Sequence, residues 1–313
     1  LYDTLRDHTP VQIFPRDIDY TEWETLRKYP LLNWNMGMVY NLRESDERIY
    51  PQGELGRRTI GLTGDRGNYG IEAVDREGVA GRDGRATSQR IARGFYGRVV
   101  DGDNIDPIDG LDVVTTLDLD VQDVANRYLR EQLEAQNAIW GTTIVMEVRT
   151  GEILALVNLG RTPGGGYAER ENYAIGRNTE PGSTFKLASM LLLLDDADMP
   201  LDQTYDTGNG RVVKVGGIRV QDSHAGFNDM DFRTAVAQSS NVYFAKAIWE
   251  RYADNKERYS DFMKKLHLDQ TVGLEAFGEE KPLFQDWKEV PDPNSMLVRR
   301  SFGYRIKLSP IQV

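Results

Sequence analysis

The run from Thr142 to Val157 sets the strongest limit on how this chain folds. Thr142-Thr143-Ile144-Val145-Met146-Glu147-Val148 turns at Arg149-Thr150-Gly151 and returns through Ile153-Leu154-Ala155-Leu156-Val157. Aliphatic and β-branched residues on both arms, with a Gly-bearing turn between them, read as an antiparallel hairpin. Its apolar density is too high for a ribbon exposed to water, so it must belong to a sheet covered by helices. A Gly-rich loop follows at Pro163 to Gly166, then a helix starting near Ser183. A Gly-rich, β-branched region runs from Asp206 to Val220, and helical periodicity runs from about Asp231 to Arg251. Strands first and helices later give an α+β domain.

The residues before this hairpin have a different texture. They are rich in Gly, Arg and Asp, with turn-bearing segments such as Arg48 to Gly53 and Gly61 to Gly64. The polar stretch from Arg85 to Arg93 reads as an exposed connector or hairpin, and Leu111 to Leu117 as a strand. Asp118 is placed to cap a helix from about Leu119 to Gln136, where Val121, Val124, Ala125, Tyr128, Leu129 and Leu133 recur at helical spacing. The chain therefore divides into a mixed, β-rich module over residues 1–138 and a second domain over residues 139–313.

Composition removes several chemistries. Lys and Arg number 38 against 49 Asp and Glu, for a net charge of −11, the wrong sign for neutralising a nucleic-acid backbone. With no Cys there is no disulfide, thiolate metal site or Cys nucleophile. His8, His224 and His267 lie far apart and form no metal-ligand spacing. The longest apolar run, Leu187 to Leu194, is interrupted by Ser189 and stops at Asp195, well short of the roughly 18 to 20 residues of a membrane span. The chain opens on Leu with no secretory leader, and it reads as an excerpt of a longer protein.

A serine can then be activated by an amine. Ser183-Thr184-Phe185-Lys186 follows Glu180-Pro181-Gly182 and precedes an apolar run, the context of a helix start. On a helix Lys186 sits one turn beyond Ser183 on the same face. The helix N-terminus disfavours an ammonium and offers N–H groups to an oxyanion. To act as a base near pH 7 the amine must fall from about 10.4 to about 7, a bias of roughly 4 to 5 kcal/mol. The same four residues also suit a Ser cap followed by a Lys stem lying along an amphipathic helix. Ser239-Ser240-Asn241 separates two apolar-periodic segments, and it reads either as a loop presenting a hydroxyl and a carboxamide or as an inter-helix turn with Asn241 as cap.

Taken together, P-G-S-x-x-K and a downstream S-x-N resemble the first two motifs of the penicillin-recognising serine transpeptidases. Here S-x-N is S-S-N, its middle position being the tolerant one in that family. Arg48-Ile49-Tyr50-Pro51, Gly61-Leu62-Thr63-Gly64, Gly70-Ile71-Glu72 and Gly81-Arg82-Asp83-Gly84 are similar to the N-terminal pedestal of class B penicillin-binding proteins. Gly110 to Asp118 with Gln122 resembles the segment joining pedestal to catalytic domain, and Met146 to Ala155 the first hairpin of that domain. Gly303-Tyr304 and Ser309 to Gln312 resemble a helix start just before the third motif. The likeness runs in order from about residue 48 and is strongest to the cell-division members. K-T-G, the third motif, is expected beyond Val313, with the later strands of the sheet and one oxyanion N–H.

That resemblance implies roles. Ser183 would attack the penultimate D-alanine carbonyl of a peptidoglycan stem peptide, with Lys186 as general base and the Ser183 N–H holding part of the oxyanion. Ser239 would relay a proton to the departing D-alanine, and Asn241 would bond the substrate amide. A neighbouring stem amine would then resolve the ester, and β-lactams would trap it. The resemblance implies no metal or organic cofactor. It also implies an inner-membrane anchor with a periplasmic catalytic domain, and glycan-polymerase or divisome partners at a dimerisation- or partner-type pedestal. Two alternatives stand beside it: a D,D-carboxypeptidase or β-lactamase using water, and a non-catalytic scaffold or sensor. Elsewhere, Glu72 with Asp75 is read as solvated or structural rather than a glycosidase pair, and Trp23, Trp34 and Trp140 as packing rather than a sugar platform. Asp206 to Gly210 is read as a turn rather than a phosphate loop. Asp222 and His224 are read as cleft lining or surface hydrogen bonds.

Overall fold

The computed structural model describes residues 22, 25, 28–29, 49–62, 67–82, 84, 88–92, 95–98, 105–106, 108–276 and 278–313. Trp23, Trp34, His8 and Arg48 lie outside them, as do Thr63, Gly64 and Asp83. The chain divides into two compact units, Leu1–Ile49 and Tyr50–Val313. In the first, the Lys28 N–H donates to the Thr25 carbonyl at 3.2 Å.

The second unit opens with short elements between glycines. Helix α1, Arg57–Ile60, ends at Gly61, which crosses close to the backbone of Tyr69 and Gly70. A Cβ at Gly61 would fall 1.9 Å from the Tyr69 carbonyl, so only glycine fits the Leu62–Tyr69 bridge. Asp75 caps α2, Arg76–Ala80, through the Gly78 N–H at 3.0 Å, a structural role that agrees with the reading given to that carboxylate. Strands β1, Ser88–Ala92, and β2, Phe95–Arg98, form the expected antiparallel hairpin.

Leu111 to Leu117 is not a strand. Its β-branched residues favour extended backbone, but among the described residues no neighbouring strand supplies a ladder, and Val114 is left 96% exposed. The segment instead leads into α3, Leu119–Ala135, which Asp118 caps by accepting from the Asp120 and Val121 N–H groups.

Helix α3 covers a three-stranded antiparallel sheet: β3, Trp140–Met146, β4, Ile153–Arg161, and β5, Tyr167–Ala168. Strands β3 and β4 pair from Trp140↔Gly160 to Val145↔Ala155. Alternation along β4 sends Ala155, Val157 and Leu159 to Ala125, Leu129 and Leu133 of α3, and Leu156 to Ala174 and Ile175 on the other face. Those last two belong to α4, Tyr173–Gly176. Both faces of β4 are buried, as its composition requires. Trp140 stacks on Tyr173 at 4.8 Å, so that indole is used in packing.

Strand β5 reaches only Gly160 and Arg161, and among the described residues the middle of β4 has no ladder partner on that edge. Side chains supply most of the bonds there, beside the Asp118 N–H, which donates to the Leu154 carbonyl at 2.9 Å. Thr116 donates to the Ile153 carbonyl at 2.7 Å, and Thr59 to that of Leu156 at 3.1 Å. Gln122, 2% exposed, accepts from the Leu156 N–H at 2.8 Å and donates to its carbonyl at 3.0 Å. In space, then, α3 lies on the sheet that follows it, and residues 119–135 are the joint between the two sequence textures.

The remainder is helical with short strands. It comprises α5, Lys186–Leu191, β6, Tyr205–Asp206, β7, Val213–Val215, β8, Ile218–Val220, and β9, Asp229–Met230. These are followed by α6, Phe232–Ala237, α7, Asn241–Tyr252, α8, Lys256–Lys265, and α9, Pro293–Arg300. Helix α7 is central: Tyr243, Phe244, Ile248 and Tyr252 join Phe185, Leu192 and Phe232 in the main core. Its Val242 and Ala245 pack on Val215, Val220 and Val298. Among the described residues no helix is long and apolar enough to cross a membrane.

Replacing Gln122 with Ala leaves the Leu156 N–H buried without a partner, a loss of about 2–3 kcal/mol. Urea unfolding of the protein and of Gln122→Ala is expected to show an unfolding free energy lower in the variant by that amount.

Candidate active site

The Ser183 segment starts as a turn of 3-10 helix, Gly182–Phe185, and passes into α5 at Lys186. Gly182, at φ 59°, turns the chain into it, and its N–H donates to the Gly303 carbonyl at 3.0 Å. Gly303 lies so close that a Cβ there would fall 1.9 Å from the Gly182 carbonyl. Glu180 accepts from the Arg305 N–H at 3.0 Å, and Ser189 donates to the Ser301 carbonyl at 2.8 Å. The residues after α9 thus fasten the turn that presents Ser183.

The i, i+3 spacing does what a helical reading expects. Ser183 is exposed, Lys186 is 4% exposed, and the Lys186 Nζ lies 3.2 Å from the Ser183 Oγ. The same amine lies 3.0 Å from the Ser239 Oγ, 2.5 Å from the Ser239 carbonyl and 2.7 Å from the Asn241 Oδ1. All four residues singled out from the two motifs therefore meet at one nitrogen.

Ser239 holds φ 51°, a left-handed conformation that is uncommon outside glycine and stored where the surroundings fix it. Asn241 is the first residue of α7 rather than its cap. The cap is Ser240, whose Oγ accepts from the Tyr243 N–H at 3.0 Å, so the helix-cap reading falls one residue earlier than expected. The Asn241 Nδ2 donates to the Gln221 carbonyl at 3.1 Å, which leaves Oδ1 for the amine.

Burial holds the Lys186 amine down, from its ordinary 10.5 to about 8, against the opposing pull of the Asp222 charge. Desolvation is thus the lowering cause. The Phe244 ring stands 6.0 Å from the amine and forms part of that dry wall. Acceptor chemistry limits what the amine can do here. The Ser239 carbonyl and the Asn241 Oδ1 accept only, so they take two N–H groups, and the third position faces the hydroxyls. As an ammonium it donates there; as a neutral amine it presents a lone pair to a serine O–H.

Asp222 was read as cleft lining or as making a surface bond. It is instead buried, 8% exposed, and accepts from the Ser240 Oγ at 2.8 Å and the Val242 N–H at 2.9 Å. His224 is exposed beside it, its carbonyl close to Gly210. Asn209 and Gly210 form a turn next to β7, with the Asn209 Oδ1 accepting from the Gly226 N–H at 2.8 Å, in keeping with the turn reading.

Residues 141–313 match the family model of the penicillin binding protein transpeptidase domain, over half of the chain and all four of these residues. The chain belongs to the penicillin-binding protein transpeptidase family. It is 30% identical to PenA of Neisseria gonorrhoeae over 278 residues, which cover 85% of this chain and 46% of PenA. It is 25% identical to the peptidoglycan D,D-transpeptidase FtsI of Escherichia coli over 285 residues, 87% of this chain and 46% of FtsI. The chain thus spans less than half the length of these two relatives. In fold it is similar to a solved peptidoglycan synthetase from Bifidobacterium adolescentis, with TM-score 0.70 and 24% identity over 96% of this chain and 54% of that one. The α+β fold and the resemblance to class B penicillin-binding proteins are borne out.

The lowered amine gives a signed stability effect. Between about 8 and 10.5 the unfolded chain holds a proton at Lys186 that the folded site has lost, so stability rises with pH across that window. Below it the desolvation penalty is fully present. Urea midpoints from pH 7 to 10.5 are expected to rise for the wild type relative to Lys186→Met, in which this titration is removed.

Proposed function

We propose that this chain carries the acylating part of a serine D,D-transpeptidase that cross-links peptidoglycan stem peptides. The observation that supports it most directly is the Lys186 amine, held down to about 8 and 3.2 Å from an exposed Ser183 hydroxyl. An amine poised near neutrality and within hydrogen-bond reach of a hydroxyl meets both requirements for a general base, geometry and pKa.

In this reading the Ser183 Oγ attacks the carbonyl of the penultimate D-alanine while its proton passes to the Lys186 Nζ. The Ser183 N–H stabilises the oxyanion. The C–N bond then breaks as Ser239 delivers its proton to the departing D-alanine amine and takes in turn the proton held on the Lys186 Nζ, 3.0 Å away. Asn241, with its Oδ1 on Lys186 and one Nδ2 hydrogen on the Gln221 carbonyl, uses its other Nδ2 hydrogen to hold the substrate amide. The ester is resolved by the amine of a second stem peptide, which forms the cross-link and frees Ser183. A β-lactam acylates the same oxygen and stops there.

Residues 1–138 are assigned the role of a pedestal, with α3 as its joint to the catalytic sheet and a face for a membrane glycan polymerase or other division proteins. The likeness to the cell-division members supports a septal role. It also supports an enzyme anchored in the inner membrane with this part in the periplasm.

The test is labelling of the full-length protein with a fluorescent penicillin, wild type beside Ser183→Ala, with mass spectrometry of the labelled peptide. We expect covalent label on Ser183 and none in the variant. A folded wild type that takes no label overturns the acyl-enzyme reading in favour of a scaffold. Release of a stem peptide to water rather than to an amine would make the protein a carboxypeptidase or β-lactamase.

A further inference from the structure

The 239–241 turn is held from below by a carboxylate that neither motif contains. Asp222 lies two residues beyond β8, after Gln221, and its backbone N–H donates to the Gly210 carbonyl at 3.3 Å, which fixes the chain after the strand beneath the turn. Its two oxygens divide between two targets: Oδ2 takes the Ser240 hydroxyl at 2.8 Å and Oδ1 takes the Val242 N–H at 2.9 Å. Ser240 then passes its own oxygen on to the Tyr243 N–H at 3.0 Å. Of three successive residues, the middle one is therefore turned into the protein. Its neighbours Ser239 and Asn241 turn outward to the amine, the first in a left-handed conformation. Next door, the Gln221 carbonyl takes the Asn241 Nδ2 at 3.1 Å, so one strand end sets both sides of the turn.

We propose that Asp222 is a positioning residue, which clamps Ser240 and the first turn of α7 so that Ser239 and Asn241 face the Lys186 amine. This role rests on the acyl-enzyme reading above and deepens it. A buried carboxylate with two charge-assisted bonds holds a strained turn more firmly than a neutral group would. Its charge has a second effect. Among the described residues Asp222 is the charged group that acts on Lys186, and it opposes burial by favouring the ammonium. Clamp and charge are separable, because Ser240→Ala removes a clamp bond and keeps the charge, whereas Asp222→Asn disturbs both.

The experiment is the rate of acylation of the full-length protein by a fluorescent penicillin, followed from pH 6 to 10. For the wild type we expect an ascending limb with its midpoint near 8. Asp222→Asn is expected to lower the plateau about ten-fold through lost positioning, and to move the midpoint down by about one unit through the lost charge. Ser240→Ala is expected to lower the plateau while keeping the wild-type midpoint, a split that a general loss of stability does not produce. A labelled wild type beside an Asp222→Asn that keeps its rate and midpoint overturns the role of Asp222 alone. Where Asp222→Asn fails to fold by circular dichroism, a Ser240→Ala plateau equal to wild type overturns it equally. A wild type that takes no label overturns the acyl-enzyme reading itself.

Discussion

The Lys186 amine is the group around which this structure is arranged. It is 4% exposed and still carries a titratable nitrogen, a combination that is costly unless acceptors surround it. Three come from one turn, the Ser239 carbonyl, the Ser239 Oγ and the Asn241 Oδ1, and a fourth from Ser183 on its own helix. Each bond to a charged donor contributes roughly 1.5–3 kcal/mol. That is enough to offset a left-handed serine, whose cost is of order 1–3 kcal/mol. The backbone at Ser239 thus follows from the demand of the amine. The helix that begins two residues later must then take its cap from Ser240, since Asn241 is already committed.

The rest of the helical half holds these two segments together. Helix α7 carries Asn241 at one end and is buried along Val242 to Ala245, so the turn has a rigid base. The α5 start is pinned from the other side by the residues after α9, through Gly182 to Gly303, Glu180 to Arg305 and Ser189 to Ser301. Bonds spanning more than a hundred positions of sequence therefore fix a distance of 3.2 Å between two side chains three residues apart. A distance between two side chains is only as reliable as the packing behind it, and here that packing comes from segments after α9.

What the sequence could show follows from how local each signal is. The hairpin through Arg149 to Gly151, the Asp118 cap and the pairing of Ser183 with Lys186 are set by neighbours within a few positions, and they read directly. Leu111 to Leu117 misled because β-branched residues report a preference for extended backbone, whereas a strand also needs a partner, and none is provided among the described residues. Asn241 was weighed as a cap on residue type, but its carboxamide is taken by the amine, and that contact spans 55 positions. Asp222 was the hardest to place. Nothing in its own surroundings separates a surface aspartate from a buried one, and its bond to Ser240 exists only once β8 and α7 have packed. The middle serine of S-S-N looked like the free position for the same reason.

Two opposing forces set the amine near neutrality. Burial behind Phe244 and the core drives the nitrogen toward the uncharged form, and Asp222 pulls it back. Were burial alone at work, the nitrogen would be held further toward the uncharged form. The surrounding acceptors would then be short of a donor, and the turn would lose one of its ties. Were the carboxylate alone at work, the amine would stay an ammonium, donate to both hydroxyls and have nothing to offer a serine proton. A value near 8 lets the same nitrogen hold the turn as a donor and take a proton at small cost, which suits the general-base role proposed for it. The clamp and the base therefore share one carboxylate, because the residue that fixes where Ser239 and Asn241 point also sets how readily Lys186 gives up its charge.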